Sequence, residues 1–322
     1  MKLFDEIKPV FFIDNKMNNI LNDINVKLKK INVNDKQKRK YMISKSKIRS
    51  IHSSLAIEAN SLSLFDVEII SENKLILGKK DEVQEVKNAI EAYNHINEYN
   101  YKSENDLLKL HELMMKYFDE DNGNYRNHGE GVKRKDEIIY MAPESILVPS
   151  LMKSLFEYIS SSDLNIIILS AIFHYYFVFI HPFSDGNGRC ARFWVTLMLI
   201  NYDKNFEFIP LEEEIYLNQE NYYLAIAECH NNGNANVFIK FILQTINSSL
   251  DKWIKNSNFV CNDIQNKIIE LIANNNRITQ NEIANITNVN VRTIKRNFKI
   301  LIDNLIIERI GSDKAGYWQI LK

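Results

Sequence analysis

The chain has 322 residues, and its 40 basic and 41 acidic side chains leave a formal net charge of −1. This balance excludes a chain that binds nucleic acid non-specifically along its whole length, and its 45 % apolar content excludes intrinsic disorder. Only nine glycines and five prolines are present, far below the usual combined share of about 12 %. The composition therefore predicts a mainly α-helical fold, and the length predicts about two domains.

Cysteine usage and hydropathy disfavour a secreted or membrane protein. The three cysteines are widely spaced, without a CxxC pair, which is typical of a cytoplasmic protein without a disulfide framework or zinc site. The amino-terminal charges lie too close together for a signal peptide. The longest apolar stretch, residues 166–180, is shorter than the ~20 residues that span a bilayer, and it contains His174. We expect it to be a buried helix.

Apolar residues at helical spacing recur along the first four fifths of the chain. They predict helices over residues 36–63, 83–99, 105–118, 147–160, 164–180, 189–201, 213–230 and 236–253. The segment 123–143 differs, because it holds three of the nine glycines, many charges and a short alternating run. It predicts a hairpin or loop. We divide the chain into an amino-terminal helical region, a central core, a polar linker and a compact last domain, over residues 1–103, 104–254, 255–262 and 263–322.

The informative segment is HPFSDGNGRCAR, residues 181–192. Pro182 ends a helix, and the glycines that follow let the backbone turn sharply before the next helix starts. The free N–H groups and positive dipole end of that helix bind anions, phosphates above all. Arg189 and Arg192 are three residues apart and therefore share one helix face. Together they predict a polyphosphate site.

Two further residues of this segment suit phosphate chemistry. Asp185 can hold Mg²⁺, which usually takes one or two carboxylates together with phosphate oxygens. His181 is a natural general base near neutral pH. Taken singly, a histidine at a helix end is usually structural and a DGNG sequence is usually a turn. The combination predicts nucleotidyl or phosphoryl transfer.

The segment resembles the signature of the Fic family, HxFx(D/E)GN(G/K)RxxR. The matching positions are His181, Pro182, Phe183, Asp185, Gly186, Asn187, Gly188, Arg189 and Arg192. The resemblance implies a Fic-type helical core that transfers AMP from ATP to a Ser, Thr or Tyr hydroxyl of a target protein. It implies that His181 deprotonates the acceptor, Asp185 positions Mg²⁺, and the backbone of residues 186–188 with Arg189 holds the phosphates. Phe183 is then a core anchor, and we interpret His174 as a packing residue.

A second resemblance lies upstream, where residues 53–60 read SSLAIEAN, close to the family's inhibitory pattern (S/T)xxxE(G/N). It implies an inhibitory helix near residues 44–60, with Ser54 and Glu58 on one face and Glu58 forked onto Arg192 in place of a phosphate. Ala59 stands where glycine or asparagine is usual. Because alanine favours helix more than glycine does, we expect the helix to persist a little longer.

The resemblance also suggests where the substrates dock. The predicted hairpin occupies the place of the family's flap, and its alternating Ile138, Ile139, Tyr140 and Met141 suit an added strand from the target. An ordinary surface hairpin is the alternative. Tyr222 and Tyr223 resemble a tyrosine pair beside the adenine, although aromatic pairs on helices are more often core.

The last domain, residues 263–322, has a different pattern. A helix is followed by a second helix from Thr279, a turn at residues 288–290, a third helix from Val291 and two short strands, which resembles a winged helix-turn-helix. The third helix presents a basic face at helical spacing, made of Arg292, Lys295, Arg296 and Lys299. Nine basic against six acidic residues give the domain a net charge of +3. DNA binding is one interpretation, and dimerisation or protein recognition is the other.

The leading hypothesis is an autoinhibited protein adenylyltransferase with ATP as substrate, Mg²⁺ as cofactor and a protein target, which the chain itself could supply. Transfer of a phosphoryl or phosphocholine group, or AMP removal assisted by Glu58, is the alternative on the same scaffold. Gly188 favours AMP transfer, because phosphorylating relatives tend to alter that glycine. A DNA-binding regulator with a nucleotide-sensing core is disfavoured, since a sensor needs no general base. A homo-oligomer is left open.

Overall fold

A computed structural model of the protein describes residues 6–118, 121–134, 137–257, 259, 261–304, 306–311 and 316–320, without the side chains of residues 132–134, 137–139 and 257. The chain divides into two compact units, Met1–Leu250 and Asp251–Lys322. The prediction of a mainly helical fold with a small antiparallel hairpin is confirmed.

The helices that begin in the first unit are α1 (Asn15–Leu28), α2 (Lys36–Ile57), α3 (Leu64–Ser71), α4 (Lys80–Asn94), α5 (Glu104–Met114), α6 (Val148–Ser161), α7 (Ile166–Ile180), α8 (Asn187–Tyr202), α9 (Leu211–Leu217), α10 (Gln219–Asn232) and α11 (Asn236–Ser257). Short 3₁₀ helices cover Ile96–Glu98, Ser145–Leu147 and Lys204–Phe208. Helix α11 extends to Ser257, so the first residues of the predicted linker 255–262 are helical.

The centre of the first unit is the pair α7 and α8, which pack against each other along their lengths. Both helices are buried along most of their lengths, and α7 is apolar on nearly all sides. The expected buried helix at residues 166–180 is therefore confirmed as α7. In the described ranges, no helix combines the length and the hydropathy that a membrane span requires.

Helix α2 starts and stops at defined caps. The Asp35 carboxylate accepts a hydrogen bond from the Lys38 N–H (2.6 Å) at its start. At its end, the Asn60 N–H donates to the Leu55 carbonyl (3.1 Å), which places Ala59 in the left-handed region with φ 67°. The expectation that Ala59 prolongs the helix is wrong, since this turn ends α2 at Ile57. The predicted helix near 44–60 is the second half of a longer one.

A buried carboxylate fixes α2 to its neighbours. Glu212, on α9, is buried and accepts hydrogen bonds from Ser50 Oγ of α2 (2.6 Å), Tyr93 of α4 (2.8 Å) and Thr196 of α8 (2.7 Å). Three donors compensate the desolvation of the charge. The network thereby sets the position of α2 relative to the middle of α8.

The predicted hairpin is present as β1 (Gly131–Arg134) and β2 (Glu137–Met141). The strands are antiparallel, with Gly131 opposite Met141 and an irregularity between residues 132 and 133. Tyr140 ties the hairpin to the core, since its hydroxyl donates to the Phe179 carbonyl (3.0 Å) and its ring stacks on His230.

The second unit contains α12 (Asp263–Asn274), α13 (Gln280–Thr287), α14 (Val291–Asp303) and the antiparallel strands β3 (Ile307–Ile310) and β4 (Tyr317–Ile320). Thr279 caps α13 in a capping box with Glu282, and Asn288 turns the chain with φ 53°. Phe298 and Trp318 pack together in its core. This is the winged helix-turn-helix that the sequence predicts; residues 312–315, between the two strands, and Leu321 lie outside the described residues.

Candidate functional site

The site forms where the chain passes from α7 to α8. His181 caps α7 in the left-handed conformation (φ 50°), and its N–H donates to the Phe177 carbonyl (3.0 Å). Gly186 takes φ 78° immediately before α8, with no side-chain cap on the helix. The first N–H groups of α8 therefore have no partner within the helix, which is the arrangement that the predicted anion site requires.

The loop is held from inside by Asn187 and Phe183. The buried Asn187 side chain accepts from the Phe183 N–H (3.0 Å) and donates to the Phe183 carbonyl (2.7 Å), so it closes the loop onto itself. The Phe183 ring is fully buried and stacks on His111, with ring centroids 3.6 Å apart. The predicted role of Phe183 as a core anchor agrees with this position.

His111, on α5, supports the loop from below. Its Nδ1 accepts from the Gly123 N–H (2.9 Å), which assigns the proton to Nε2, and Nε2 then donates to the Asp185 carbonyl (3.0 Å). Both the ring stacking and the hydrogen bond fix the loop near Asp185.

Asp185 and Arg189 form an ion pair at the mouth of the loop. One carboxylate oxygen of Asp185 accepts from the Gly186 N–H (2.6 Å), and the other contacts Arg189 Nη2 (2.8 Å). The Asp185 side chain is 68 % exposed, whereas Arg189 is buried. Burial lowers the pKa of Arg189, but the charges of Asp185 and Glu85 outweigh it and raise the pKa above its usual value.

Arg192 is 1 % exposed and is bound by α2. Its Nε donates to Ser54 Oγ (3.0 Å), and its Nη2 donates to the Ser54 carbonyl (2.9 Å) and to Glu58 Oε1 (2.6 Å). The structure thus joins the predicted residues Ser54, Glu58 and Arg192. The expected two-pronged contact from Glu58 is wrong, because Ser54 takes one side of the guanidinium. The Glu58 charge outweighs burial and raises the pKa of Arg192.

Gly188 lies next to the contact between Glu58 and Arg192. A Cβ atom at residue 188 would collide with Glu58 and lie 3.0 Å from Arg192 Nη1. A larger residue at 188 would therefore displace the Glu58 carboxylate from this position.

His181 is affected by the charge of Glu58 as well as by burial. Burial lowers the pKa of its imidazole, although the Val178 backbone and the charges of Glu130 and Glu58 partly oppose this. The side chain is consequently neutral near pH 7 and able to accept a proton.

Arg126 holds the loop and the hairpin together. Its buried guanidinium donates to four carbonyl groups, those of His181 (2.7 Å), His128 (2.7 Å), Pro143 (2.6 Å) and Ile180 (3.3 Å). Two of these carbonyls end α7, and the other two flank β1 and β2. The arginine therefore connects the end of α7 to both ends of the hairpin.

The tyrosine pair takes two different positions. Tyr222 is buried, and its hydroxyl lies 2.9 Å from His174 Nε2, while Tyr223 is half-buried. Burial raises the pKa of Tyr222, and Arg192 opposes this through its charge and a hydrogen bond. His174 is fully buried, as its predicted packing role requires.

The hairpin residues divide likewise. Tyr140 is anchored on the core, Met141 is 62 % exposed, and the side chains of Ile138 and Ile139 lie outside the described residues.

Three residues that shape the site were not found from the sequence: Glu85, His111 and Arg126. Each lies more than fifty positions from the loop and belongs to no motif, so only the fold reveals it.

Comparison with known proteins agrees with this geometry. Residues 101–199 match the model of the Fic/DOC family, and residues 262–308 match a winged helix-turn-helix DNA-binding family. The chain therefore carries a Fic domain followed by a winged helix-turn-helix domain.

Relatives with curated names are moderately similar. A protein adenylyltransferase Fic of Nematostella vectensis is 27 % identical over 226 residues, covering 67 % of this chain and 50 % of the relative. One of Drosophila yakuba is 26 % identical over 216 residues, covering 63 % and 41 %. The chain thus spans half or less of these relatives.

Solved structures match over more of the chain. A Fic family protein from Desulfovibrio desulfuricans G20 is similar with a TM-score of 0.75 and 29 % identity over 98 % of both chains. Fic-1 of C. elegans (residues 134–508) shares the fold with a TM-score of 0.62 and 22 % identity, over 75 % of this chain and 73 % of that one.

Proposed function

We propose that the protein transfers AMP from ATP to a hydroxyl group of a protein target. The observation that carries the proposal is the single segment that combines a half-buried neutral histidine, the uncapped start of α8 and two buried arginines. The names of the curated relatives support the same activity.

In this reaction His181 accepts the proton of the target hydroxyl. The hydroxyl oxygen forms a bond to the α-phosphorus of ATP, and the bond from that phosphorus to the bridging oxygen breaks, so pyrophosphate leaves. Asp185 would release the Gly186 N–H when it turns to Mg²⁺. The N–H groups of residues 186–188 and the Arg189 guanidinium would then stabilise the negative charge on the phosphates. Arg192 would bind the terminal phosphate, and the tyrosines at 222 and 223 would border the nucleotide.

The donor set fits Mg²⁺ that arrives with the nucleotide. Among the described residues no group of three or more His, Cys, Asp or Glu side chains could form a site made by protein alone. Asp185 supplies one exposed carboxylate beside the phosphate site, which is what Mg²⁺ requires when phosphate oxygens complete its shell. When bound, the ion neutralises phosphate charge.

The contact between Glu58 and Arg192 would act as a brake. Arg192 is buried and already paired, so a phosphate must displace Glu58 to reach it. With Glu58 in place, the nucleotide can bind only in a pose unsuited to in-line attack. Release of the end of α2 would open the site.

The hairpin is the proposed docking edge for the target. A segment of the target would add as a strand beside β2, with its backbone carrying the affinity. Because Arg126 joins the ends of the hairpin to His181, the docked hydroxyl would be held close to its proton acceptor.

Intact-mass spectrometry after incubation with ATP and Mg²⁺ tests the chemistry. A mass gain equal to AMP supports the proposal. A gain equal to phosphate would replace it with phosphoryl transfer, and loss of a pre-existing AMP would replace it with AMP removal.

We also propose that the second unit binds DNA. The matching family is described as DNA-binding. All four basic residues predicted for the third helix are exposed on α14: Arg292, Lys295, Arg296 and Lys299. The full chain should bind duplex DNA with an affinity that falls as salt rises, because bound phosphates release counterions. Binding that is unchanged when Lys295 and Arg296 are both replaced by alanine would rule this interface out.

A further inference from the structure

Glu85, on α4, is a carboxylate of the site that no motif contains. Its Oε1 accepts a hydrogen bond from Arg189 Nη1 (2.9 Å) across 104 positions of sequence. Arg189 is thereby placed between two carboxylates, with Asp185 on Nη2 (2.8 Å).

The two carboxylates differ in how firmly they are held. Glu85 is partly buried and its second oxygen accepts from Asn60 Nδ2 (2.7 Å). Asn60 is itself buried, donates to the Glu82 carbonyl (3.1 Å) and accepts from the Leu62 N–H (3.1 Å). Asp185, in contrast, is mostly exposed. Glu85 is therefore the fixed partner of Arg189, and Asp185 is the exchangeable one.

Of the three guanidinium nitrogens of Arg189, Nη1 and Nη2 each have a hydrogen-bond partner and Nε has none among the described residues. Its Nε is buried and makes no hydrogen bond within the described part of the chain. Nε and Nη2 lie on the same edge of the planar group and form a two-donor fork that matches a phosphate. Glu85 occupies Nη1, outside this edge, so a phosphate need displace only Asp185.

We propose that Glu85 is a positioning residue: it anchors Arg189 through Nη1 and so directs the Nε–Nη2 edge at the nucleotide's phosphates. This inference rests on the proposed function, since it takes the ligand of Arg189 to be a nucleotide. It also assigns a role to Asn60, which lies two residues after Glu58 and orients Glu85 through a hydrogen bond.

The test measures nucleotide binding apart from turnover. The experiment uses the full chain with two substitutions. Glu58→Gly removes the carboxylate that occupies Arg192, and His181→Ala removes the proton acceptor so that no turnover occurs. Binding of ATP with Mg²⁺ is measured by calorimetry after adding Glu85→Ala or Glu85→Gln. The matched control is Glu82→Gln, one turn earlier on α4, whose carboxylate contacts Ser61 and Lys79 instead.

We expect Glu85→Ala to weaken ATP binding about tenfold, the effect of 1.4 kcal/mol. Glu85→Gln should weaken it less, because an amide oxygen can still accept from Arg189, and it remains informative if the alanine variant does not fold. Binding of adenosine, which lacks phosphates, should not change. The Glu82→Gln control should bind ATP as tightly as the Glu58→Gly, His181→Ala protein without a further substitution.

Other results overturn the inference in distinct ways. Tighter ATP binding in the Glu85 variants would make Glu85 a competitor of the phosphates, and equal binding would make it a structural ion pair only. If the Glu58→Gly protein with His181 intact transfers no AMP, the proposed function fails, while the binding series still decides whether Glu85 positions Arg189.

Discussion

Arg192 shows how a single side chain can be held by several weak restraints. Ser54 takes its Nε and Glu58 shares its Nη2, so the neutral partner comes from the end of α2 and the charged partner from the residue that follows it. A buried guanidinium without partners would be costly, and its pairing explains why α2 seats firmly on the start of α8. The same restraints make the pair easy to perturb by one substitution.

Ala59 adjoins this pair and carries backbone strain. Its left-handed conformation (φ 67°) costs a non-glycine residue about 1 kcal/mol or more, which glycine avoids. Glycine removes this strain, but it also raises the conformational entropy of the unfolded chain. We therefore expect Ala59→Gly to raise the free energy of unfolding by a net amount of about 0.5 kcal/mol. Urea unfolding measures this. The control Ala56→Gly, inside α2, should lower stability by about 1 kcal/mol, and equal effects of both would contradict the strain.

At the scale of secondary-structure elements, the site depends on how α7 is joined to the hairpin. Sequence periodicity predicts α7, α8 and the hairpin separately, but it contains nothing about the angle between them. Arg126 supplies that information, because one rigid planar group reaches carbonyls on both elements. A single arginine in a polar loop gives no signal in the sequence.

Replacing Arg126 tests this link. Arg126→Ala leaves four carbonyl groups without their donor and should lower the free energy of unfolding by about 3 kcal/mol. Arg126→Lys keeps the charge but not the planar fork and should lie between. Thermal unfolding gives the stability. Hydrogen exchange should accelerate in residues 181–186 and in the hairpin, whereas acceleration spread evenly over the first unit would exclude a local link.

At the scale of the whole molecule, buried histidines make stability depend on pH. Burial lowers the pKa of His174 to about 3 and that of His230 to about 4. Between those values and about 6.5, the unfolded chain binds a proton that the folded protein excludes. Stability therefore falls as pH decreases from 6.5 towards 4.

His174→Gln isolates one of these contributions while keeping a polar partner for Tyr222. The free energy of unfolding of the parent should fall more steeply than that of the variant between pH 6 and 4, by up to about 1.4 kcal/mol per pH unit. Parallel curves from urea unfolding at each pH would show that His174 is not the group responsible.

The fold was predictable where a local signal exists. Helix α13 and its capping residue Thr279 follow from one capping box, and α7 follows from its uniform apolar run. Helix α1 was missed although Asp14 caps it and its apolar residues have helical spacing. The end of α2 was misjudged, since tertiary contacts of Glu58 and Asn60 outweigh the helix propensity of alanine.

The candidate site was predictable only within its motif. Residues 181–192 are contiguous, so their chemistry can be read directly, and the inhibitory pattern identified Glu58. Glu85, His111 and Arg126 act from α4, α5 and the segment before the hairpin. Their roles depend on long-range packing, for which one sequence contains no measurable pattern.

Transfer of label from ATP is the most direct test of the central claim that this loop moves AMP under control of Glu58. The Glu58→Gly protein is incubated with Mg²⁺ and ATP labelled at either the α- or the γ-phosphorus. We predict that the α-label is retained on protein at least about tenfold more than in the parent, the γ-label is not retained, and His181→Ala abolishes retention. Retention of the γ-label, or equal α-label in parent and Glu58→Gly proteins, would contradict the account.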